Sequence, residues 1–467
     1  MKNILKKILK KILKKILKKI LKEIINSKSD IMENLLLMGI DTRPMVNSAL
    51  KLNYKTFSIS YFKTVDFKMP YCEKHVLDQE SVISCGRFED NYSPQKLFEL
   101  FDELLHENDN DADCEIDSEI DKIVLTTGLN ANDFCGKFKK FRKIVRGNKN
   151  TKNVEDKFKF YKKLRNKFDV PLTFQPLDMY ELDEILQQHN NNQFILKPLQ
   201  GSGGLGIFLL NNETLNKKYY GKESLEKNTK KNNSFEDIFE SISLKNYIVQ
   251  EYVEGINVSS SVLSSHDERK NLINTRLITE HDLGSDSFEY SGNILPLDEN
   301  SLRMFNDNRT NFEKNNFNVK ELNDEMKNTS EDLIKEFKLL GSNGVDYALD
   351  NDGELKVIEI NPRFQGTYEL VEKVMNINLL DAHIKACEGE LIEIPSINAY
   401  AVKKIIYARK QVNIGNLNIS NVYDIPYEGV KIEKDQPLVT LISSNKNLET
   451  AIEDIKIAEN KVYKNID

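Results

Sequence analysis

Gly344-Val-Asp346-Tyr-Ala-Leu-Asp350-Asn-Asp352-Gly353-Glu354-Leu-Lys-Val-Ile-Glu359-Ile-Asn361-Pro-Arg363 decides how this chain reads. Two apolar-rich runs flank Asp352-Gly353, a pair that favours a two-residue type I′ turn between antiparallel strands. With that turn, Asn351 faces Glu354, and counting back along both strands sets Asp346 opposite Glu359. Asn361, two residues on, points to the same side. Opposed Cβ atoms lie about 4.5–5.5 Å apart, so the two carboxylates should repel unless something neutralises them. In this register Ala348, Leu355 and Val357 share their face, an apolar surround that makes a bare acid pair costly. Two carboxylates and an amide oxygen suit Mg²⁺ (or Mn²⁺), which completes its shell from water and nucleotide phosphate. The plainer alternative is a solvated acid pair on an edge hairpin.

Upstream lies Lys197-Pro-Leu-Gln-Gly201-Ser202-Gly203-Gly204-Leu-Gly206. Glycines let a backbone approach phosphate closely, and successive N–H groups form an anion-binding concavity. A dinucleotide fold requires a helix directly after G-x-G-x-x-G, whereas Ile207-Phe-Leu-Leu210 reads as a strand. A Walker A loop requires Lys after its last Gly, where Ile207 stands, and the kinase motifs H-R-D and D-F-G are both missing from the chain. What remains is a glycine flap between two antiparallel strands with a Lys four residues before it, or a loose structural hairpin.

Further outward, residues 34–40 read as a buried strand, Asp41-Thr-Arg-Pro44 as a turn into a helix near 44–52, and 56–61 and 123–126 as further strands. Strands alternating with helices indicate a parallel α/β sheet. The composition turns polar at 148–154, and Asp156 to Lys167 reads as a charged helix. Residues 193–197, 206–210 and 247–253 read as strands, and 211–233, rich in Asn and Lys, as a loop. Thr329-x-x-Asp332 resembles a capping box opening a helix that Gly341 stops. Short strands follow residue 390 (401–407, 430–432, 438–442), with a closing helix from Leu448. The acidic run 107–121 reads as an exposed insertion without calcium-loop spacing.

The 467 residues suggest about three domains. Apolar residues at 39% and charged residues at 30% support real cores and exclude a wholly disordered chain. The net charge of −7 divides unevenly, since residues 1–25 hold ten Lys against Glu23 and the rest carries the balance of −16. So acidic a body argues against a nucleic-acid binder. Five scattered Cys without C-x-x-C give neither a disulfide framework nor a zinc site, and fit a reducing cytoplasm. From Ile4 to Ile25 the I-L-K-K repeat of four drifts about 40° per repeat around a helix. It reads as a low-complexity extension or as a basic amphipathic helix touching an anionic membrane surface, and Met32 is an alternative start.

The Lys–glycine flap followed by an E-x-N-P-R hairpin resembles the ATP-grasp superfamily, in particular the carboligase-like group related to biotin carboxylase and carbamoyl phosphate synthetase. The resemblance covers about 32–467 and is strongest over 155–370. It implies an α/β and α+β fold: a Rossmann-like pre-ATP-grasp domain over 32–150, an ATP-grasp domain over 151–390 (subdomains 151–191 and 192–390), and a small β-rich segment over 391–467. By position it implies that Lys157 and Lys197 contact ATP phosphates, that Gly201, Ser202, Gly203, Gly204 and Gly206 form the flap, and that Gln250, Glu251, Tyr252 and Val253 hold adenine through backbone and side chains. It further implies Asp346, Glu359 and Asn361 as metal ligands and Arg363 facing the transferred phosphoryl group. Asn257 departs from the pattern, standing where several relatives place a ribose-binding Glu.

The activity implied is that of an ATP-dependent ligase. Mg-ATP would phosphorylate a substrate carboxylate and an amine would attack the acyl phosphate. Small-molecule acid and amine partners, a cytoplasmic setting and a homodimer, frequent among relatives, go with it. A small-molecule kinase and a non-catalytic ATP-binding protein tethered to a membrane surface by the basic tail remain alternatives. The six His form no cluster; His281 lies in 280–293, a segment that either reaches the substrate side or is an ordinary loop, and Tyr290-x-Gly292-Asn293 there has no assigned role.

Overall fold

Four consecutive apolar residues, Leu35 to Met38, must be buried on both faces, and they are the centre of β1 (Glu33–Gly39). Around it, β2 (Tyr54–Phe62), β3 (Cys72–Leu77), β4 (Lys122–Leu125) and β5 (Val145–Arg146) complete a parallel sheet of order β3-β2-β1-β4-β5. Its pleat sends Leu36 and Met38 into one core with Phe57, Ile59 and Phe101, and Leu35 and Leu37 into another with Met45 and Val46. The computed structural model describes residues 32–77, 92–106, 120–201, 203–210, 243–285, 287–304 and 318–466. The readings of the tail 1–31, of most of 107–121, of 211–233 and of Ser202 lie outside the described residues.

A second, four-stranded sheet holds β6 (Thr173–Phe174), β7 (Phe194–Pro198), β8 (Phe208–Leu210) and β9 (Tyr247–Glu251) in the order β6-β9-β7-β8. The third sheet contains β10 (Gly255–Ser264), β11 (Arg269–Thr279), β12 (Tyr290–Leu295), β13 (Gly341–Asp350) and β14 (Leu355–Asn361). The C-terminal strands do not stand apart from it: β15 (Tyr400–Tyr407), β17 (Val422–Tyr423) and β19 (Pro437–Asn445) extend it to eight, in the order β14-β13-β10-β11-β12-β15-β19-β17. Only β16 (Val412–Asn413) and β18 (Lys431–Ile432) pair separately. The closing helix Leu448–Lys464 packs with β15 and β19 through Ile452, Ile455 and Val462.

Two expectations need correcting. The predicted capping box at Thr329 is mid-helix. The helix runs Val319–Phe337, is capped by Asn318, whose side chain accepts from the N–H groups of Lys320 and Glu321, and ends at Lys338 in the left-handed conformation (φ 53°) rather than at Gly341. Its buried stripe, Leu322, Met326, Ser330, Leu333 and Ile334, begins two turns before Thr329.

The second correction concerns the β13–β14 hairpin. Its turn is a three-residue loop, Asn351–Gly353, closed by Asp350 N–H to Glu354 O at 3.0 Å, with Gly353 at φ 89°. Leu349 therefore pairs with Leu355 and Tyr347 with Val357, a register that would set Asp346 opposite Ile358. A bulge at Ile358 then shifts the pairing by one residue, and Asp346 faces Glu359 after all. The expected pair forms through two offsetting irregularities. The expected apolar neighbours do not all follow: Leu355 and Val357 turn to the opposite face, into the core with Val345, Tyr347 and Ile360, while Ala348 stays on the acid side.

Candidate active site

Asp346 and Glu359 project into a cavity of about 350 Å³ between the second and third sheets. β10 runs alongside β13, so Ser259 pairs with Asp346 and its hydroxyl donates to Asp346 Oδ1 at 2.6 Å. Asn361 Nδ2 donates to Asp346 Oδ2 at 2.7 Å, leaving its own amide oxygen as a further donor atom for a cation. Burial, and then the facing Glu359, push the Asp346 carboxyl up to about 6.

Glu359 has the opposite balance. Burial alone would raise it, but the Lys197 and Lys157 ammonium groups, 3.3 and 3.9 Å from Oε2, outweigh that and hold its carboxyl down at about 2. Lys197 is the penultimate residue of β7 and is 6% exposed. Lys157 opens the helix Lys157–Leu164, which is capped by Asp156 accepting from Lys159 N–H. Its Nζ donates to Gly201 O at 3.0 Å, tying the helix to the flap. Burial, with Lys197 and Arg363 nearby, pulls the Lys157 ammonium down to about 8 despite Glu359. Arg363 lines the same cavity from just beyond β14.

Gly201, Gly203 and Gly204 roof this space. Gly203 O accepts from Tyr290 N–H at 2.9 Å, and a Cβ on Gly204 (φ 78°) would lie 1.9 Å from Phe288 O, so this close approach requires glycine. Gly206, also in the left-handed region at φ 70°, ends the flap beside Pro198. Ser202 lies outside the described residues.

A second cavity of about 360 Å³ adjoins the first, sharing Lys197, Ile207, Asn257 and Ile358 with it. Its apolar wall includes Ile195, Leu209, Ile256 and Ala348, and Gln250, Glu251, Tyr252 and Val253 border it. Two of those side chains are already engaged elsewhere. Gln250 Nε2 donates to Thr173 Oγ1 at 3.0 Å, and the Glu251 carboxylate accepts from Leu172 N–H at 3.1 Å and Asn192 Nδ2 at 2.6 Å. A flat apolar ligand here would meet the backbone of this strand more than the side chains of Gln250 and Glu251. His281 also lines this cavity, stacked on Phe288 with ring centroids 4.8 Å apart.

Thr127, Tyr290, Asn293, Gln365 and Thr367 also line the first cavity. The sequence assigns none of them a role; in the Tyr290-x-Gly292-Asn293 stretch the Tyr290 hydroxyl donates to Asn293 Oδ1. Ser259 belongs to Ser259-Ser260-Ser261, an unusual small polar run within a buried strand and a signal that could have been used.

The donor set suits a magnesium-like ion. Among the described residues no group of three or more His, Cys, Asp or Glu forms a metal cage. Two carboxylates and an amide oxygen leave half of an octahedral shell to be filled by water and phosphate, the usual arrangement for nucleotide-bound Mg²⁺.

Residues 154–367 match the family model described as an ATP-grasp domain. Over 436 residues the chain is 28% identical to an uncharacterized protein of Methanocaldococcus jannaschii, covering 92% of this chain and 90% of that protein. Solved structures with the same fold include biotin carboxylase from Campylobacter jejuni in a β,γ-ATP complex (TM-score 0.64, 14% identity, 93% of this chain and 92% of the other). N5-carboxyaminoimidazole ribonucleotide synthetase from Thermotoga maritima is similar at TM-score 0.59 and 14% identity, covering 93% and 99%. The biotin carboxylase domain of Hydrogenobacter thermophilus 2-oxoglutarate carboxylase, solved with MgADP and bicarbonate, is similar at TM-score 0.63 and 15% identity, covering 92% and 90%.

Proposed function

Residues 154–367 of this chain are an ATP-grasp domain, and from that premise we propose that the protein is an ATP-dependent ligase joining a carboxylate to an amine through an acyl phosphate. One observation carries this reading: Asp346 faces Glu359 in a cavity that also gathers Lys157, Lys197 and Arg363 under a glycine flap. Three cations against two acids leave the cavity net positive, a setting that favours a polyphosphate over a neutral ligand.

In this reading the second cavity takes the adenine and the first takes the phosphates and the acceptor acid. Lys157, Lys197 and the flap N–H groups hold the β- and γ-phosphates. Asp346, Glu359 and Asn361 hold Mg²⁺, which would neutralise charge on the phosphate oxygens. Arg363 orients the acceptor carboxylate. A carboxylate oxygen attacks the γ-phosphorus, ADP leaves, and the amine then displaces inorganic phosphate from the acyl carbon with loss of one proton. The protein supplies no covalent nucleophile, so rate comes from alignment and from cations placed where negative charge accumulates. The fold of the biotin carboxylase and carboxyaminoimidazole synthetase structures, and the nucleotides bound in two of them, support this reading.

Incubating the full chain with ATP, Mg²⁺ and a pool of cell metabolites tests it. The expected result is ADP and phosphate release that depends on both an acid and an amine, with a condensed product in the mass spectrum. ADP release without any amine, leaving a stable phosphorylated product, would assign a kinase instead.

A further inference from the structure

Gln365 lies two residues beyond Arg363 and lines the first cavity. Its side chain does not hang free there. It lies flat on the third sheet over Gly344, where an added Cβ would come within 1.6 Å of Nε2 and 1.9 Å of Cδ. Nε2 donates to Ser259 Oγ at 3.1 Å, and Ser259 donates to Asp346 Oδ1 at 2.6 Å. On the other side Ser261 Oγ donates to Gln365 Oε1 at 2.9 Å and lies 3.2 Å from Thr367 Oγ1.

The direction of this chain follows from the donors available. Ser259 Oγ has two acceptors in reach, Val345 O at 3.1 Å and Asp346 Oδ1 at 2.6 Å; its single proton goes to the shorter, charge-assisted contact with Asp346, and Ser259 accepts from Gln365. Gln365 therefore turns its amide nitrogen to Ser259 and its oxygen to Ser261. The Ser261 proton is then spent on Gln365, and Thr367 must donate to Ser261. The sequence Thr367 to Ser261 to Gln365 to Ser259 to Asp346 runs one way and ends on the acid. Ser259, Ser261 and Thr367 are 1%, 4% and 4% exposed, so water competes little for these bonds.

We propose that Gln365 is a positioning residue for the metal site: acting through Ser259, it fixes the carboxylate of Asp346 in the orientation that receives the cation. This rests on the metal reading above and extends it to a residue that touches neither metal nor nucleotide. Asp346 is then gripped on both oxygens, by Ser259 on Oδ1 and by Asn361 on Oδ2. Groups that orient a metal ligand typically change metal affinity about 10- to 100-fold when removed. Gly344 has a matching explanation, since it keeps the sheet surface low enough for the amide to lie across it.

The test is Mn²⁺ binding to the full chain saturated with a non-hydrolysable ATP analogue, alongside analogue binding without metal. Gln365→Met keeps the length and loses the donor. It should weaken Mn²⁺ about 10-fold or more and leave metal-free analogue affinity unchanged, a split that general loosening of the site would not give. Ser259→Ala should show the same split, and the double variant should lose no more than the worse single one. Wild-type Mn²⁺ affinity in Gln365→Met, or losses that add fully in the double variant, would overturn the proposal. Should Gln365→Met fail to fold, Ser259→Ala carries the test, and normal Mn²⁺ affinity there overturns it equally. Wild-type protein that binds no Mn²⁺ with the analogue would instead refute the metal reading on which the proposal rests.

Discussion

The protein buries two ionic clusters built to opposite specifications. Where the parallel sheet meets the helix Tyr368–Met375 and the C-terminal strands, Arg43 is 1% exposed and bonded to carboxylates through all three of its nitrogens. Its terminal nitrogens donate to the two Glu369 oxygens at 3.0 and 2.8 Å, and Nε donates to Asp424 at 2.6 Å and lies 3.4 Å from Asp66. The Asp66 oxygens in turn accept the Asp424 and Ile425 N–H groups. In the cleft, Lys157, Lys197 and Arg363 surround two acids, and the closest ion pair there is 3.3 Å. In one cluster a single cation is held by three acids from distant segments, and in the other cations outnumber acids. Buried charge without a matched partner costs several kcal/mol, so the cationic surplus marks where an anion docks, whereas the Arg43 cluster marks a joint.

The sharpest way to break this contrast is to substitute one member of each cluster. Glu359→Gln should lower Mg²⁺-dependent turnover at least about 1000-fold, ~4 kcal/mol, while metal-free nucleotide binding stays largely intact. Steady-state kinetics and calorimetric titration check both, and a fully active variant would remove the cleft from the mechanism. Arg43→Met should do the reverse. It leaves Asp66, Glu369 and Asp424 without their cation, at a cost of about 3–5 kcal/mol, read as a lower denaturant midpoint with metal affinity preserved. A loss below about 1 kcal/mol, the scale of an exposed pair, would show that the two clusters do not differ as described.

Acid should act on the joint side of the molecule. His383 accepts Ser342 N–H at Nδ1 (2.8 Å) and donates from Nε2 to Arg146 O (3.1 Å), which ties β13 to β5 and requires a neutral ring. Burial pulls its pKa from 6.5 down to about 4. Above pH 6.5 the ring is neutral folded or unfolded, and its contribution is complete. As pH falls towards 4, the unfolded chain binds a proton that the folded one refuses, and stability declines by at most about 3 kcal/mol. Melting temperatures of wild-type and His383→Asn should converge between pH 7 and pH 4, and parallel curves would show that another group sets acid stability. The smallest effect expected is in the cleft. Lys197→Met should weaken ATP use about 10-fold, ~1.4 kcal/mol, without unfolding. Unchanged ATP kinetics would make this Lys a structural residue.

Much of the fold was legible because its signals are local. Four apolar residues at Leu35–Met38 fix a buried strand, and Asp352-Gly353 marks a hairpin, although the loop is one residue longer than that pair predicts. The residues expected at the site come together, and all the described ones except Gly206 line one of two adjoining cavities. What stayed hidden depends on partners far along the chain. The bulge at Ile358 reverses which of Leu355, Val357 and Ile358 face the cleft, and no local rule announces it. Glu251 looks like a base-binding side chain until folding brings Leu172 and Asn192 to its oxygens. Arg43 reads as part of a turn, because Glu369 and Asp424 lie 326 and 381 residues away in sequence.

The central claim is that Asp346 and Glu359 together hold a cation bound to nucleotide phosphate. Anomalous X-ray scattering from crystals grown with Mn²⁺ and a non-hydrolysable ATP analogue tests it most directly. The account predicts one or two peaks in the first cavity, within about 2.0–2.4 Å of oxygens from both acids and from phosphate, with Glu359 drawn away from Lys197. A nucleotide bound with no anomalous peak between the two acids, and Glu359 still paired to Lys197, would contradict it.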